Sequence, residues 1–245
     1  MLDENKFKSE LARIFRLNGL SNMLNIEKTE LLLSLTKRML EENEKYNLTA
    51  ITDPDKIILN HYADCAILAK ELPNNCRIAD IGCGAGFPSL IIAILRSDVQ
   101  VLAIDSTEKR VGYVKESARL LGLANIECKT MRAEDGGRLP EYREKFDIAT
   151  ARAVAELRIL CELCLPYVKV GGSFIAMKGK NAVYELKDAK GAIARLGGGD
   201  ASCIEYSLTN GIDEPLSRPL IKISKKAKAP DIYPRIYSKI SKSPL

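Results

Sequence analysis

The segment Asp80-Ile81-Gly82-Cys83-Gly84-Ala85-Gly86-Phe87-Pro88 carries the most concentrated chemistry of the chain. Three closely spaced glycines let the backbone turn sharply and let a ligand approach the main chain. The dinucleotide fingerprint is G-x-G-x-x-G; here the third glycine comes one residue early, and Phe87 stands in its place. That spacing suits a nucleoside lying across the loop. The plain alternative is a tight turn with no ligand. Asp105 follows Gly82 by 23 residues, where an acid accepts both ribose hydroxyls of an adenosine-type ligand. Alone, such an Asp reads as a helix N-cap. Arg132-Ala133-Glu134-Asp135 stands where adenine is expected, and Arg152 follows a later strand.

Other chemistries find little support. His61 is the single histidine and sits in a helical pattern with no nucleophile beside it. Cys161 and Cys164 have C-x-x-C spacing but no second pair, and they fall on a leucine-rich helix. No metal site is expected. There is no G-x-x-x-x-G-K-[ST] loop for ATP. A nucleoside cofactor that needs no metal, nucleophile or strong base points to S-adenosylmethionine. The acceptor is narrowed by absences. No [DNS]-P-P-[YF] tetrapeptide marks exocyclic amine methylation, and no Pro-Cys or Thr-Cys pair marks cytosine C5 chemistry. A ring nitrogen with a free lone pair, such as guanine N7, is consistent with what remains.

These residues need a scaffold that gathers them. Residues 1–75 read as helical, with Leu31, Leu32, Leu35, Met39 and Leu40 at helical spacing. Phe7, Leu11, Ile14, Phe15 and Leu17 predict an earlier helix whose default role is core packing. YNLTAIT (46–52) reads as a loop, and Asp53-Pro54 as an N-cap with a first-turn proline. From Cys76, strand and helix alternate five times. Strands are expected at RIADIG, VQVLAID, ANIECKTM, FDIATARA and GGSFIAMKG, and a helix at Val183–Leu196. CIEYSL and PLIKIS then follow as two close strands. The alternation predicts a parallel sheet covered on both faces, and the closing pair an antiparallel strand at one edge.

At 245 residues, with 46% hydrophobic and 28% charged residues, the chain is neither wholly disordered nor large enough for several domains. The longest apolar run, Ser89–Leu95, is under half the ~18 residues of a membrane helix. The charged start MLDENKFKSE is unlike a signal peptide, and seven irregularly spaced cysteines fit a reduced, cytoplasmic protein. From Arg218 onward there are eight Lys or Arg and one acid, leaving the preceding residues slightly negative. Such a tail is either a solvated face or a nucleic-acid contact; the interleaved Tyr233 and Tyr237 favour neither outright.

Seven ordered motifs resemble the RsmG (GidB) family, the bacterial 16S ribosomal RNA guanine-N7 methyltransferases. They are YNLTAITDPDKIILNHYADC (46–65), IADIGCGAGFPSLIIAIL (78–95), AIDSTEKRVGYVKE (103–116), RAED (132–135), FDIATARAVAEL (146–157), GGSFIAMKG (171–179) and YPRIYSKISKSPL (233–245). The chain departs from the family's H-x-x-D-S at Cys65, and from its tail pattern at Ser238 and Ile240.

The resemblance spans about residues 30–245. It implies an α/β class I (Rossmann-like) S-adenosylmethionine-dependent methyltransferase: a seven-stranded, mostly parallel sheet ordered 3-2-1-4-5-7-6, with a helical N-terminal extension. Residues 1–75 would form that extension, and 76–245 the methyltransferase domain with its basic tail at about 218–245. Cofactor contacts are implied at Gly82, Gly84, Gly86, Phe87, Asp105, Ala133, Glu134 and Arg152. Arg152 and Lys178 are the catalytic candidates. Asn47, His61, Lys178, Arg235, Lys239 and Lys242 are the RNA candidates. The implied partner is 16S ribosomal RNA, within the small subunit or an assembly intermediate, bound by a monomer with no membrane association. A small-molecule methyltransferase, a non-catalytic ribosome-binding factor and a nucleotide-dependent oxidoreductase are the rival readings.

Overall fold

The computed structural model describes residues 2–46 and 48–245. Helix α1 (Glu4–Leu17) starts where the Asp3 carboxylate accepts from the Lys6 N–H. It buries Phe7, Leu11, Ile14 and Phe15 along one stripe. Each of these contributes about 1.5–3 kcal/mol relative to exposure, so α1 is core and not a loose arm. Helix α2 (Ile26–Tyr46) follows. Asp53 caps α3 (Pro54–Ile57), with Pro54 in the first turn, as the sequence predicts. A π-helical turn (Ile58–Ala63) joins α3 to α4 (Asp64–Glu71).

Strands and helices then alternate: β1 (Arg77–Ile81), α5 (Ser89–Leu95), β2 (Gln100–Asp105), α6 (Glu108–Leu120), β3 (Ile126–Thr130), α7 (Ala133–Gly136), β4 (Phe146–Arg152), α8 (Leu157–Cys164) and β5 (Val168–Met177). The predicted helix at Val183–Leu196 is two short ones, α9 (Ala182–Asp188) and α10 (Lys190–Arg195). Strands β6 (Gly198–Leu208) and β7 (Leu216–Lys225) and helix α11 (Tyr237–Lys242) complete the chain.

The sheet order is β3-β2-β1-β4-β5-β7-β6. This is the order that the resemblance implies, and the expected antiparallel pairing is present at one edge. Strand β7 is antiparallel to both β5 and β6 and lies between them, one place inside the edge. The burial explains the order. Leu220, Ile221 and Ile223 of β7 are fully covered, whereas β6 is mostly exposed or half-buried, so the more apolar strand takes the inner position.

Alternate residues of the central strands feed two cores. Ile78, Ala103, Ile148 and Ile175 join the N-terminal helices, α5 and α6 in one apolar cluster. Ala79, Ile104, Ala149 and Phe174 join α8, α10 and Ile240 in the other. The change of texture near residue 75 therefore marks a change of element type, while the core continues across it.

The basic tail is docked. Arg143 donates to the carbonyls of Ala229, Pro230 and Tyr233, and Arg158 to those of Pro244 and Leu245. Lys225 is buried. Its Nζ donates to the Leu165 and Leu196 carbonyls and faces Glu144 at 3.6 Å, and burial pushes its pKa down to about 8. Not all of the tail's charge therefore reaches solvent.

Candidate active site

The glycine loop leaves β1 and is pinned at once. The N–H groups of Gly82 and Cys83 both donate to the Ile104 carbonyl, at 2.8 and 2.9 Å. Gly82 and Gly86 have φ of 80° and 87°, where side chains are strained. A Cβ at Gly82 would lie 2.6 Å from Val154 Cγ2, and one at Gly86 2.5 Å from Leu90 Cδ1. Backbone conformation and packing both demand glycine at these two positions.

Asp105 ends β2 with its carboxylate locked. Oδ2 accepts from Gly84 N–H at 3.0 Å and Oδ1 from Thr107 N–H at 2.8 Å, with Arg110 at 4.0 Å. Each oxygen keeps acceptor capacity for hydroxyl donors. The helix N-cap reading of Asp105 is not met, since Thr107 holds the N-cap position of α6; the carboxylate closes the turn after β2 and is placed as the candidate ribose acceptor. Asp105→Ala should weaken S-adenosylmethionine binding by about 1–3 kcal/mol, the cost of unpairing buried polar partners. Calorimetric titration decides this, and unchanged affinity removes Asp105 from the ribose role.

A cleft of about 560 Å³ opens at the carboxyl ends of β1 to β4. Gly82, Gly84, Phe87, Asp105, Ala133, Glu134, Arg152 and His61 all line it. Gly86 shapes the loop from behind. Glu134 is buried and Oε1 accepts from the Tyr237 N–H. Asp80 does not reach the cleft. It is fully buried beneath the loop, where Oδ2 accepts from Ser89 N–H and Oδ1 has no hydrogen-bond partner among the described residues. Burial pushes its carboxyl up to about 7.

Arg152 ends β4 and is held from several sides. Nε pairs with Asp64 at 3.2 Å, and Nη2 contacts the Asn60 carbonyl at 2.7 Å and His61 Nδ1 at 3.1 Å. Asp64 also accepts from the Tyr206 hydroxyl at 2.6 Å. The π-helical turn places Asn60 and His61 toward the arginine just ahead of Asp64, a use common for such turns. Arginine has only donors, so His61 Nδ1 accepts and the proton sits on Nε2, 3.3 Å from Thr49 Oγ1. The imidazole stacks on Phe87 with centroids 4.4 Å apart. Burial, then Arg152, pushes its pKa down to about 3. His61 is therefore a neutral wall, not a proton carrier.

The pH consequence has a definite sign. His61 titrates near 6.5 when unfolded and near 3 when folded, so the stability it contributes is present above 6.5 and is lost as pH falls. Asp80 does the opposite, losing stability as pH rises from 3.8 to about 7. Between about pH 4 and 6.5 the two slopes oppose each other at about 1.4 kcal/mol per pH unit each. His61→Gln should remove only the first. Urea unfolding across that range should then show its stability falling with rising pH, relative to the parent, by that amount per unit.

Several sequence candidates are not brought to the cleft. Lys178 Nζ is spent on the Ala155 carbonyl at 2.9 Å and on Glu185 at 2.7 Å. It anchors the β4–α8 loop, in which Ala153 takes a φ of 56° and lines the cleft. Arg235 is bidentate on the fully buried Glu162. Both cations are paired within the fold. Lys239 and Lys242 are exposed on α11. Asn47 lies outside the described residues. Sequence reasoning missed Asp64 and Thr49, whose partners are distant or in loops, and Tyr237, which it left in the tail.

The sheet order, the glycine loop and the cleft at the strand ends define the class I methyltransferase fold. The chain is similar to the solved structure of a SAM-dependent methyltransferase from Aquifex aeolicus, at TM-score 0.52 and 18% identity, covering 75% of this chain and 97% of that one. A SAM-dependent O-methyltransferase from Thermotoga maritima matches at TM-score 0.52 and 14% identity, covering 78% and 73%. The chain belongs to the GidB family, rRNA small subunit methyltransferase G, whose profile matches residues 28–208. It is 46% identical over 214 residues to the Ribosomal RNA small subunit methyltransferase G of Clostridium perfringens (strain 13 / Type A), covering 86% of this chain and 88% of the relative. The protein of that name from Moorella thermoacetica is 42% identical over 224 residues, covering 91% and 92%.

Proposed function

We propose that the chain transfers a methyl group from S-adenosylmethionine to N7 of one guanosine in 16S ribosomal RNA of the small subunit. Residues 76–245 form the methyltransferase domain, and residues 1–75 form a helical extension that completes one core and adds His61 to the cleft wall. The protein acts as a cytoplasmic monomer; no helix among the described residues is long and apolar enough to cross a membrane. The observation that carries the reading is the locked Asp105 carboxylate beside Gly84 in a cleft sized for a nucleoside.

S-adenosylmethionine, when bound, supplies a methyl group already activated on a sulfonium. The residues of this chain then have four tasks. Gly82 and Gly84 admit close approach to the backbone. Asp105 accepts the ribose hydroxyls. Ala133 and Glu134 bound the base end. Arg152, held by Asp64 and Asn60, forms the side of the cleft where the acceptor base enters. Guanine N7 attacks with its own lone pair, so no general base is required of the protein. The product base is cationic, and Asp105 and Glu134 are carboxylates lining the cleft that attract it through space. Lys239 and Lys242, exposed beside Tyr237, contact phosphates. Replacing both with Gln should flatten the salt dependence of RNA binding by about 0.7–0.9 in log–log slope for each phosphate no longer neutralised. Filter binding over a salt series checks this, and an unchanged slope makes them solvated residues only.

The direct test is transfer of labelled methyl to small subunits from cells lacking this gene, with the site mapped by cleavage at N7-methylguanosine. Stoichiometric label at one guanosine is expected. Cofactor binding without transfer points to another acceptor, and no cofactor binding points to a non-catalytic factor.

A further inference from the structure

We infer that the docked C-terminal strap, residues 233–245, is a wall of the cofactor pocket, with Tyr237 as the residue that meets the base of the nucleoside. The inference rests on the cofactor reading above and deepens it. The strap reaches the cleft by a fixed path. Pro234 packs so closely on Gly137, just past α7, that a Cβ there would lie 3.2 Å from its ring. Arg235 then grips Glu162 through both its side chain and its N–H. Two residues on, the Tyr237 N–H donates to Glu134, itself a lining residue. Beyond it, Ile240 is fully buried and Arg158 holds the last two carbonyls.

Anchors on both sides of Tyr237 thus set its position. Yet Tyr237 itself is 39% exposed and lines the cleft. A partly exposed aromatic held at the mouth of a nucleoside-sized cleft, beside a buried carboxylate, is a surface for a flat heteroaromatic base. Because Glu134 is shared between strap and cleft, strap docking and nucleoside binding are coupled, and the coupling is reciprocal.

The sequence supplies a clean reporter, since the chain contains no tryptophan. Tyr237→Trp gives one indole at the proposed contact. Titration with S-adenosylhomocysteine should shift its emission saturably, with the same dissociation constant that calorimetry gives. Tyr237→Ala should weaken S-adenosylhomocysteine binding roughly 2- to 12-fold. Tyr237→Phe, which keeps the ring, should bind like the parent. If the parent binds and the indole is silent while Tyr237→Ala binds equally well, the strap is a packing element and the inference fails alone. If the parent does not bind S-adenosylhomocysteine, the cofactor reading fails with it.

Discussion

Arg152→Ala is expected to cost about 3–5 kcal/mol of stability, the range for removing one partner of a buried ion pair. Asp64 is the reason. Its side chain is 4% exposed, and without Arg152 its carboxylate keeps only the Tyr206 hydroxyl among these partners. His61 Nδ1 and the Asn60 carbonyl lose their donor in the same step. For a chain of this length the loss corresponds to a drop in Tm of about 6–20 °C. Methyl transfer should fall as well, because Arg152 lines the cleft. The double variant Arg152→Met with Asp64→Leu separates the two effects. It removes both charges, so much of the stability should return while activity stays low. Urea unfolding of the three proteins measures this. If Arg152→Ala unfolds like the parent, the pair is not a structural element.

Arg235→Ala is expected to release the strap. Glu162 is fully buried, and both its oxygens accept from this one guanidinium. The Arg235 N–H would remain at 2.7 Å, and the arginine is itself partly solvated. The expected cost is therefore near the lower end of the range for a broken buried pair, about 3 kcal/mol. Its distribution distinguishes it from the Arg152 variant. Amide exchange should accelerate in residues 229–245 and leave β1 to β5 protected. Uniform acceleration across the sheet would show that Glu162 supports the core as a whole. Arg235→Lys should recover only part of the loss, since an ammonium cannot present two parallel N–H groups to one carboxylate.

Much of the scaffold was legible because its signals are local. Asp53-Pro54 reads as a helix start because capping and a fixed φ need only neighbouring residues. The glycine loop is legible for the same reason. Three glycines announce positive φ, and Gly82, Gly84 and Gly86 all adopt it. The helix stripe of α1 follows from periodicity, and the buried strand β1 from a short apolar run that ends in glycines. The order of the last two strands is not legible from such local signals, and only the family resemblance implied it. It depends on which strand gains more by being covered on both sides, and that is a comparison between β6 and β7 in the assembled sheet.

The cations show the limit most clearly. In the sequence, Lys225 and Arg235 enter the tail's count of positive charges, and the resemblance adds Lys178 and Arg235 as RNA candidates. Only the tertiary structure decides that each is spent, Lys178 on Glu185, Lys225 on two carbonyls near Glu144, and Arg235 on Glu162, because pairing depends on groups that are distant in sequence or across an element. The residue types and spacing by themselves determined the alternating sheet, the glycine turn, Asp105 at the second strand's end and the family resemblance. Folding decided which charges face water, where Asp64 stands behind Arg152, and that Tyr237 closes on the cleft. Local propensity is written along the chain, whereas burial and pairing exist only once distant segments share one low-dielectric interior.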